Sequence, residues 1–473
     1  MVSRPNGSAW RAQSSLLHHE CLGSGVEVQH LRLTNGLKVM LAPQPHAPRV
    51  SIQTWVPAGS GSDPARLSGL AHLVEHLTYL NTPGAESYDI AVDQLGGESN
   101  ATTWTDWTQF HLSVPSSGRR QALELEASRF AALTVSEPSF SREKRVVEAE
   151  RLQRVEGDLE AWVSETLYMQ AFRRHPYRYP TVGTAQAIRK LSAAHCRAFF
   201  AEHYRPERMC LVVAGACGDA GVVAEILASF GQLSGSHAGA PRDVQRAQPA
   251  AKPEAPQRRA RHLSVPCAGR YSALSVGWKC PPVTHPDWPA LALLTEALAG
   301  EGALALPEAL SAVVGPYAEH SVELTPFAHT GLLEVFVAFQ RPLSLGRPPE
   351  VALQAELLRA ARQLRETDLE RARLQLALRA QVALESAHGR ATEVGFSTML
   401  FGSLDALAQK LAGYPQETLP SLRRVAERAL KTAGRTAVHA AHTAHLQTGS
   451  TRAAKTRVRQ PSVTERCRGE RAA

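Results

Sequence analysis

One stretch near the middle of the chain, 233–262 (LSGSHAGAPRDVQRAQPAAKPEAPQRRARH), limits every fold the rest can adopt. It is rich in Ala, Pro, Gly and Arg and cannot bury enough apolar surface to order on its own. It reads as a linker, so the blocks on either side must each supply a core. At 473 residues the chain is also longer than one ordinary core serves. Both blocks show the same order of patterns: strand, helix, hairpin, long helices, final strand.

In the first block the alternation predicts strands over Val26–Leu33 and Leu37–Leu41 about a Thr34-Asn35-Gly36 turn, and another over Arg49–Val56. A helix follows at 67–80, then a turn at 94–97, a hairpin strand at 102–115, helices at 119–133, 138–155, 158–173 and 184–203, a strand at Met209–Ala214 and a helix at 219–230. The second block opens with a strand at Tyr271–Lys279, whose Trp278 matches Trp55 of the first block. A helix at 287–300, strands at 318–324 and 331–340, helices at 348–363, 366–388, 402–412 and 418–432, and a strand near 436–441 complete it. The expected fold is therefore α+β: two homologous α/β-sandwich halves, each a mixed, mostly antiparallel sheet with helices packed on it. The expected division is an irregular segment 1–25, a first domain 26–232, the linker 233–262, a second domain 263–447 and a basic tail 448–473.

No apolar run is long enough to span a membrane, and the N-terminus lacks an apolar stretch followed by a small-residue cleavage site, so a cytoplasmic location is expected. The seven cysteines form no CxxC pair, which argues against a disulfide framework or a cysteine metal site. The net charge of +8 is local: segments 233–262 and 448–473 together hold thirteen basic and four acidic residues, leaving the remainder near neutral. Neither segment interleaves aromatics with its basic residues, so no nucleic-acid partner is expected.

The chemistry concentrates in Gly69-Leu70-Ala71-His72-Leu73-Val74-Glu75-His76-Leu77. On a helix, His72 and His76 four apart project from one face and can share a metal, while Glu75 lies within the same turn. A carboxylate there can take a proton from water at the metal without being a ligand itself. Leu73, Val74 and Leu77 would pack the other sides. A catalytic zinc needs a third protein ligand. The helical stretch 138–155 carries Glu143, Glu148 and Glu150; Glu143 and Glu150 are seven apart and nearly share a face, and spacing alone does not choose among the three.

HxxEH at 72–76, followed by Glu143-Lys144-Arg145 and Glu150, resembles the pitrilysin-type (M16) zinc metallopeptidases, and at this length their short, processing-peptidase-like branch. Leu33–Val39, Gly96-Gly97-Glu98-Ser99-Asn100-Ala101-Thr102, His175-Pro176-Tyr177 with Gly183, and Tyr204-Arg205-Pro206 before Met209–Gly215 extend the likeness over 25–232, and more loosely over 263–445. The resemblance implies Glu150 as third zinc ligand, Glu143 as a supporting acidic residue at the catalytic site, and Asn100, Ala101 and Tyr317 as substrate contacts. It implies a clam-shell enclosing a chamber in which an unfolded peptide adds as a β-strand and is hydrolysed, with Glu75 activating the water. It also implies pairing with a second M16-type chain, as homo- or hetero-dimer. The contrasting expectation is a non-catalytic or partner-dependent scaffold subunit. The second block has no HxxEH, and Leu310 stands where many relatives carry an arginine seven residues before the tyrosine.

Overall fold

A computed structural model describes residues 14–22, 25–44, 46–80, 87–234, 254–267, 270–340 and 348–442. The tail 448–473 and most of the linker lie outside the described residues. The first half runs β1 (Ser14–Cys21), β2 (Glu27–Leu33), β3 (Lys38–Pro43), β4 (Arg49–Val56), α1 (Leu70–Tyr79), α2 (Tyr88–Gln94), β5 (Glu98–Thr103), β6 (Thr108–Pro115), α3 (Arg119–Ser128), α4 (Glu137–Arg151), α5 (Leu159–Ala171), α6 (Ala185–Lys190), α7 (Ala193–His203), β7 (Cys210–Gly215) and α8 (Gly221–Ser229). The second runs β8 (Arg261–Cys267), β9 (Ser272–Cys280), α9 (Trp288–Ala299), α10 (Ala305–Val314), β10 (Tyr317–Leu324), β11 (Gly331–Phe339), α11 (Pro349–Gln363), α12 (Glu366–Glu385), α13 (Ala387–Leu400), α14 (Asp405–Leu411), α15 (Leu419–Ala429) and β12 (Arg435–His442). No helix among the described residues is long and apolar enough to cross a membrane.

The two sheets carry one topology. The first orders β1-β2-β3-β7-β4-β6-β5 and the second β10-β11-β9-β12-β8. Read from the β5 and β10 edges they correspond strand for strand, with β1 and β2 extra in the first. Each is antiparallel except at one step, β3 with β7 and β8 with β12, where the half's last strand runs parallel to its neighbour. Both sheets are covered on both faces, which is why their central strands read as unbroken apolar runs. On β7, Leu211 and Val213 face one core while Cys210, Val212 and Ala214 face another, the two-residue alternation of a strand.

Four expectations need correction. The segment 1–25 is not wholly irregular: β1 pairs antiparallel with β2 as an edge strand. The linker ends earlier than 262, since β8 begins at Arg261 and Glu254 accepts backbone N–H bonds from Arg174 at 2.8 Å and His175 at 3.1 Å. The helix 184–203 is two helices, broken before Ser192, which caps α7. Trp278 and Trp55 are not equivalent inside their sheets: Trp278 faces its own half's helices, and Trp55 faces the seam between halves. A one-residue difference in register reverses the face.

That seam is built by exchange. Helix α5 of the first half packs on the second sheet, where Val163, Leu167 and Phe172 meet Ala273, Leu332 and Phe336. Helix α13 of the second half, which the sequence did not reveal, packs on the first sheet beside Trp55, with Ala391 and Val394 against Val212. A glycine permits each approach. A Cβ on Gly395 would lie 2.2 Å from Trp55 Nε1, and one on Gly277 2.9 Å from Leu167 Cδ2. The seam also buries a carboxylate: Glu334 accepts hydrogen bonds from Ser275 at 2.6 Å and Ser164 at 2.8 Å. Burial pushes its pKa up to about 7, and Glu323 and Glu160 nearby push the same way.

Two outcomes follow. Gly395→Ala will destabilise the protein by ~1–3 kcal/mol, because overpacking against the fully buried Trp55 outweighs the gain in helix propensity; an unchanged urea midpoint would contradict this. For Glu334, the unfolded chain releases its proton near the ordinary carboxylate pKa while the folded chain holds it until about pH 7. Its contribution therefore falls as pH rises between those values, by on the order of 3 kcal/mol. Glu334→Gln will shrink the loss of stability measured between pH ~5 and ~8, and a loss as large as wild type would refute the assignment.

Candidate metal centre

The local sequence fixes α1 before any metal is considered. Gly69, its N-cap, has φ 92°, and a Cβ there would lie 2.7 Å from the carbonyl oxygen of Val182. The buried Asp63 carboxylate accepts the N–H groups of Gly69 (2.7 Å), Leu70 (3.2 Å) and Ala71 (2.8 Å), anchoring the helix start. Burial raises the Asp63 pKa to about 8 against the pull of those three N–H groups. Leu70, Leu73, Val74 and Leu77 enter the first core. The opposite side of the same turns carries His72, Glu75 and His76, the first two buried.

Helix α4 lies against α1 through Phe140 and Val147. Its Glu150 Oε2 sits 3.7 Å from His72 Nε2 and 3.5 Å from His76 Nε2. One ligand atom from each of the three residues lies within 4.8 Å of the others, the one such group among the described residues. Tetrahedral zinc with bonds near 2.0–2.1 Å separates its ligand atoms by about 3.3–3.4 Å, so these three donors fit that ion with small adjustment. Glu143 reaches the far side of His76, 3.6 Å from Nδ1, as a carboxylate that orients a ligating imidazole does. Arg154, four residues after Glu150, holds the other oxygen of Glu150 at 2.8 Å. The chain turns π-helical over Leu152–Glu156, where the sequence predicts uninterrupted α-helix.

The charges also suit a cation. Burial pushes the His72 imidazole down to about 4, with His76 adding to the effect, so it is neutral at pH 7 and able to ligate. Burial alone would lower His76 too, but the carboxylates of Glu150, Glu75 and Glu143 outweigh it and raise its pKa. The hydrogen bond from His76 holds Glu150 below its ordinary range, against partial burial. Burial raises Glu75, against the hydroxyl of Thr103, which donates to its Oε2. Three carboxyl groups thus surround two imidazoles, an arrangement whose charge suits a bound cation.

Thr103 ends β5, the terminal strand of the first sheet. A cleft of about 950 Å³ opens there between the halves, lined by Glu75, Asn100, Ala101 and Trp104 on one side and by Glu323, Thr325 and Phe327 on the other. Asn100 and Ala101 therefore lie on a free strand edge beside the triad, and the Ala101 N–H is held by Asn100 Oδ1 at 2.8 Å. Tyr317 starts β10 and packs on the second core, apart from the residues that line the cleft. Glu323, which does, lies six residues along the strand, about 20 Å away. Leu310 is fully buried in α10, filling the second core where an arginine would be unpaired. Trp107 packs on Trp55, whereas Trp104 borders the cleft. Sequence reasoning did not find Asp63, Thr103, Arg154 or Phe327. Asp63 and Arg154 carried a signal in their spacing from the motif residues, but Thr103 and Phe327 are set by tertiary packing alone.

The family model described as insulinase (peptidase family M16) matches residues 38–185, and the peptidase M16 inactive domain matches 190–376. A protein of Mycobacterium tuberculosis named as an uncharacterized zinc protease is 31% identical over 201 residues, 42% of this chain and 46% of that protein. A probable mitochondrial-processing peptidase subunit beta of Arabidopsis thaliana is 28% identical over 221 residues, 46% of this chain and 41% of that protein. The chain thus spans a little under half the length of these curated relatives. A protease from Helicobacter pylori shares the fold, with TM-score 0.79 and 21% identity over 88% of this chain and 99% of that one. Two M16 models, matching 38–185 and 190–376 and the first enclosing the His72–Glu75–His76 turn, make this chain a member of peptidase family M16.

Proposed function

We propose that this protein is a zinc endopeptidase that cleaves extended peptide segments held along the β5 edge. The single observation that carries this reading is the convergence of His72, His76 and Glu150 with the Glu75 carboxyl on the same helical turn, at the mouth of a cleft. His72, His76 and Glu150 would hold a zinc ion, which would supply Lewis acidity toward a peptide carbonyl. Glu75 takes the proton of the attacking water and delivers it to the leaving amine, and Thr103 keeps its carboxyl turned toward the site. An added substrate strand would exchange the Asn100 side chain for its own carbonyl at the Ala101 N–H, which makes binding a matter of backbone rather than side chain. Glu143 positions His76 and takes no part in proton transfer.

The reading includes a second M16-type chain as partner. It is supported by the relative named as a subunit. A scaffold role without turnover is disfavoured by the complete set of three ligands and an acid–base carboxylate.

Glu75→Gln will retain stoichiometric zinc and lose ~10²–10⁴-fold in turnover of a random peptide pool; retained turnover removes its role. Glu143→Gln will weaken zinc binding by ~10–100-fold, measured by competition with a chelator. Glu150→Gln will weaken it further, and equal affinities for wild type and Glu150→Gln would point to another third ligand.

A further inference from the structure

Helix α12 is apolar on two opposite faces. On one, Leu369 and Ala372 enter the second core, and Ala380 and Leu384 enter the seam between halves. On the other, Leu374, Leu378 and Val382 are 68%, 58% and 53% exposed. They recur every four residues, so they form one stripe along the helix. Leu304, 69% exposed, lies on the turn whose Glu301 carbonyl accepts from Arg371 at 2.9 Å and Gln375 at 2.8 Å. Four of the eight large apolar side chains exposed among the described residues thus lie on α12 and this turn. A grouped apolar surface left in water marks a contact face. None of these residues lines the cleft.

The stripe ends in opposite charges. Arg371 lies seven residues before Leu378 and Glu385 seven after, both close to the same line along the helix. Arg371 donates to the backbone carbonyls of Ala297 (3.0 Å) and Glu301, and no carboxylate among the described residues pairs with it. Glu385 is exposed, pairs with no cation among the described residues, and closes α12, where the helix dipole opposes a negative charge. Turned end for end about Leu378, a second copy of the helix sets Val382 against Leu374, Leu378 against itself and Glu385 against Arg371. The stripe therefore matches itself in both shape and charge, the requirement of a two-fold contact between identical chains.

We propose that two copies of this chain pair through α12, antiparallel about a two-fold axis at Leu378. This names the face that receives the second chain and rests on that part of the proposed function; the chemistry at the metal centre does not enter.

The test is sedimentation of the zinc-loaded full chain at tens of micromolar, where a dimer is expected. Leu378→Arg, which places two like charges on the axis, will give a monomer with unchanged zinc content. Arg371→Glu and Glu385→Arg each set like charges opposite one another and will weaken the dimer at least tenfold. Mixed in equal amounts, these two variants regain opposite charges at both ends of the stripe. They will form a mixed dimer tighter than either forms alone, followed by a fluorescent label on one of them. This arm decides the matter even if Leu378→Arg fails to fold. A monomeric wild type would overturn the self-pairing and leave the stripe to a partner of different sequence. A dimer intact in Leu378→Arg, or variants that do not prefer each other, would overturn this face while the reading of a second chain stands. A zinc-loaded wild type that dimerises but cleaves no peptide would overturn the peptidase reading and leave this face in place.

Discussion

Two imidazoles from one helix and a carboxylate from another bring their donor atoms within 4.8 Å of one another at the edge of the cleft, His72 buried and His76 and Glu150 half-buried. Nothing in the apolar packing of α1 against α4 requires polar groups there, and each of them is desolvated at a cost. A positive charge among them would offset that cost. Much of the surrounding structure can be read as keeping these donors in place. Asp63 and Gly69 fix the start of α1, Phe140 and Val147 fix the depth of α4, and Arg154 occupies the Glu150 oxygen that faces away from the imidazoles.

The exchange of helices between halves serves the same end. Because α5 follows the ligand helix and packs on the second sheet, the chain that carries Glu150 runs directly on into the core of the second half. The second half, which brings no ligand, contributes one wall of the cleft through Glu323, Thr325 and Phe327, and it sets how far that wall stands from the β5 edge.

The parts of this that the sequence made legible are those with local periodicity. The HxxEH turn, the α1 core face, the central strands and the doubled order of elements each follow from spacing along a helix or strand. The parts it hid depend on what lies across space. The edge strand β1, SSLLHHEC, lacks the β-branched run that marks a buried strand. Helix α13 buries one face against a foreign sheet and carries Gly389 and Gly395, which read as breakers until Trp55 is seen against the latter. Glu150 could not be chosen over Glu143 and Glu148 by spacing, since the direction of approach of α1 decides it. Tyr317 was assigned by resemblance, and its distance from the cleft depends on strand length rather than on any local pattern.

The most direct test of the central claim is the zinc K-edge X-ray absorption spectrum of the purified, zinc-loaded protein. The account predicts a first shell of nitrogen and oxygen only, near 2.0–2.1 Å, with outer-shell scattering from two imidazoles, and loss of one imidazole contribution in His76→Ala. A sulfur contribution near 2.3 Å, or a spectrum unchanged by that substitution, would contradict it.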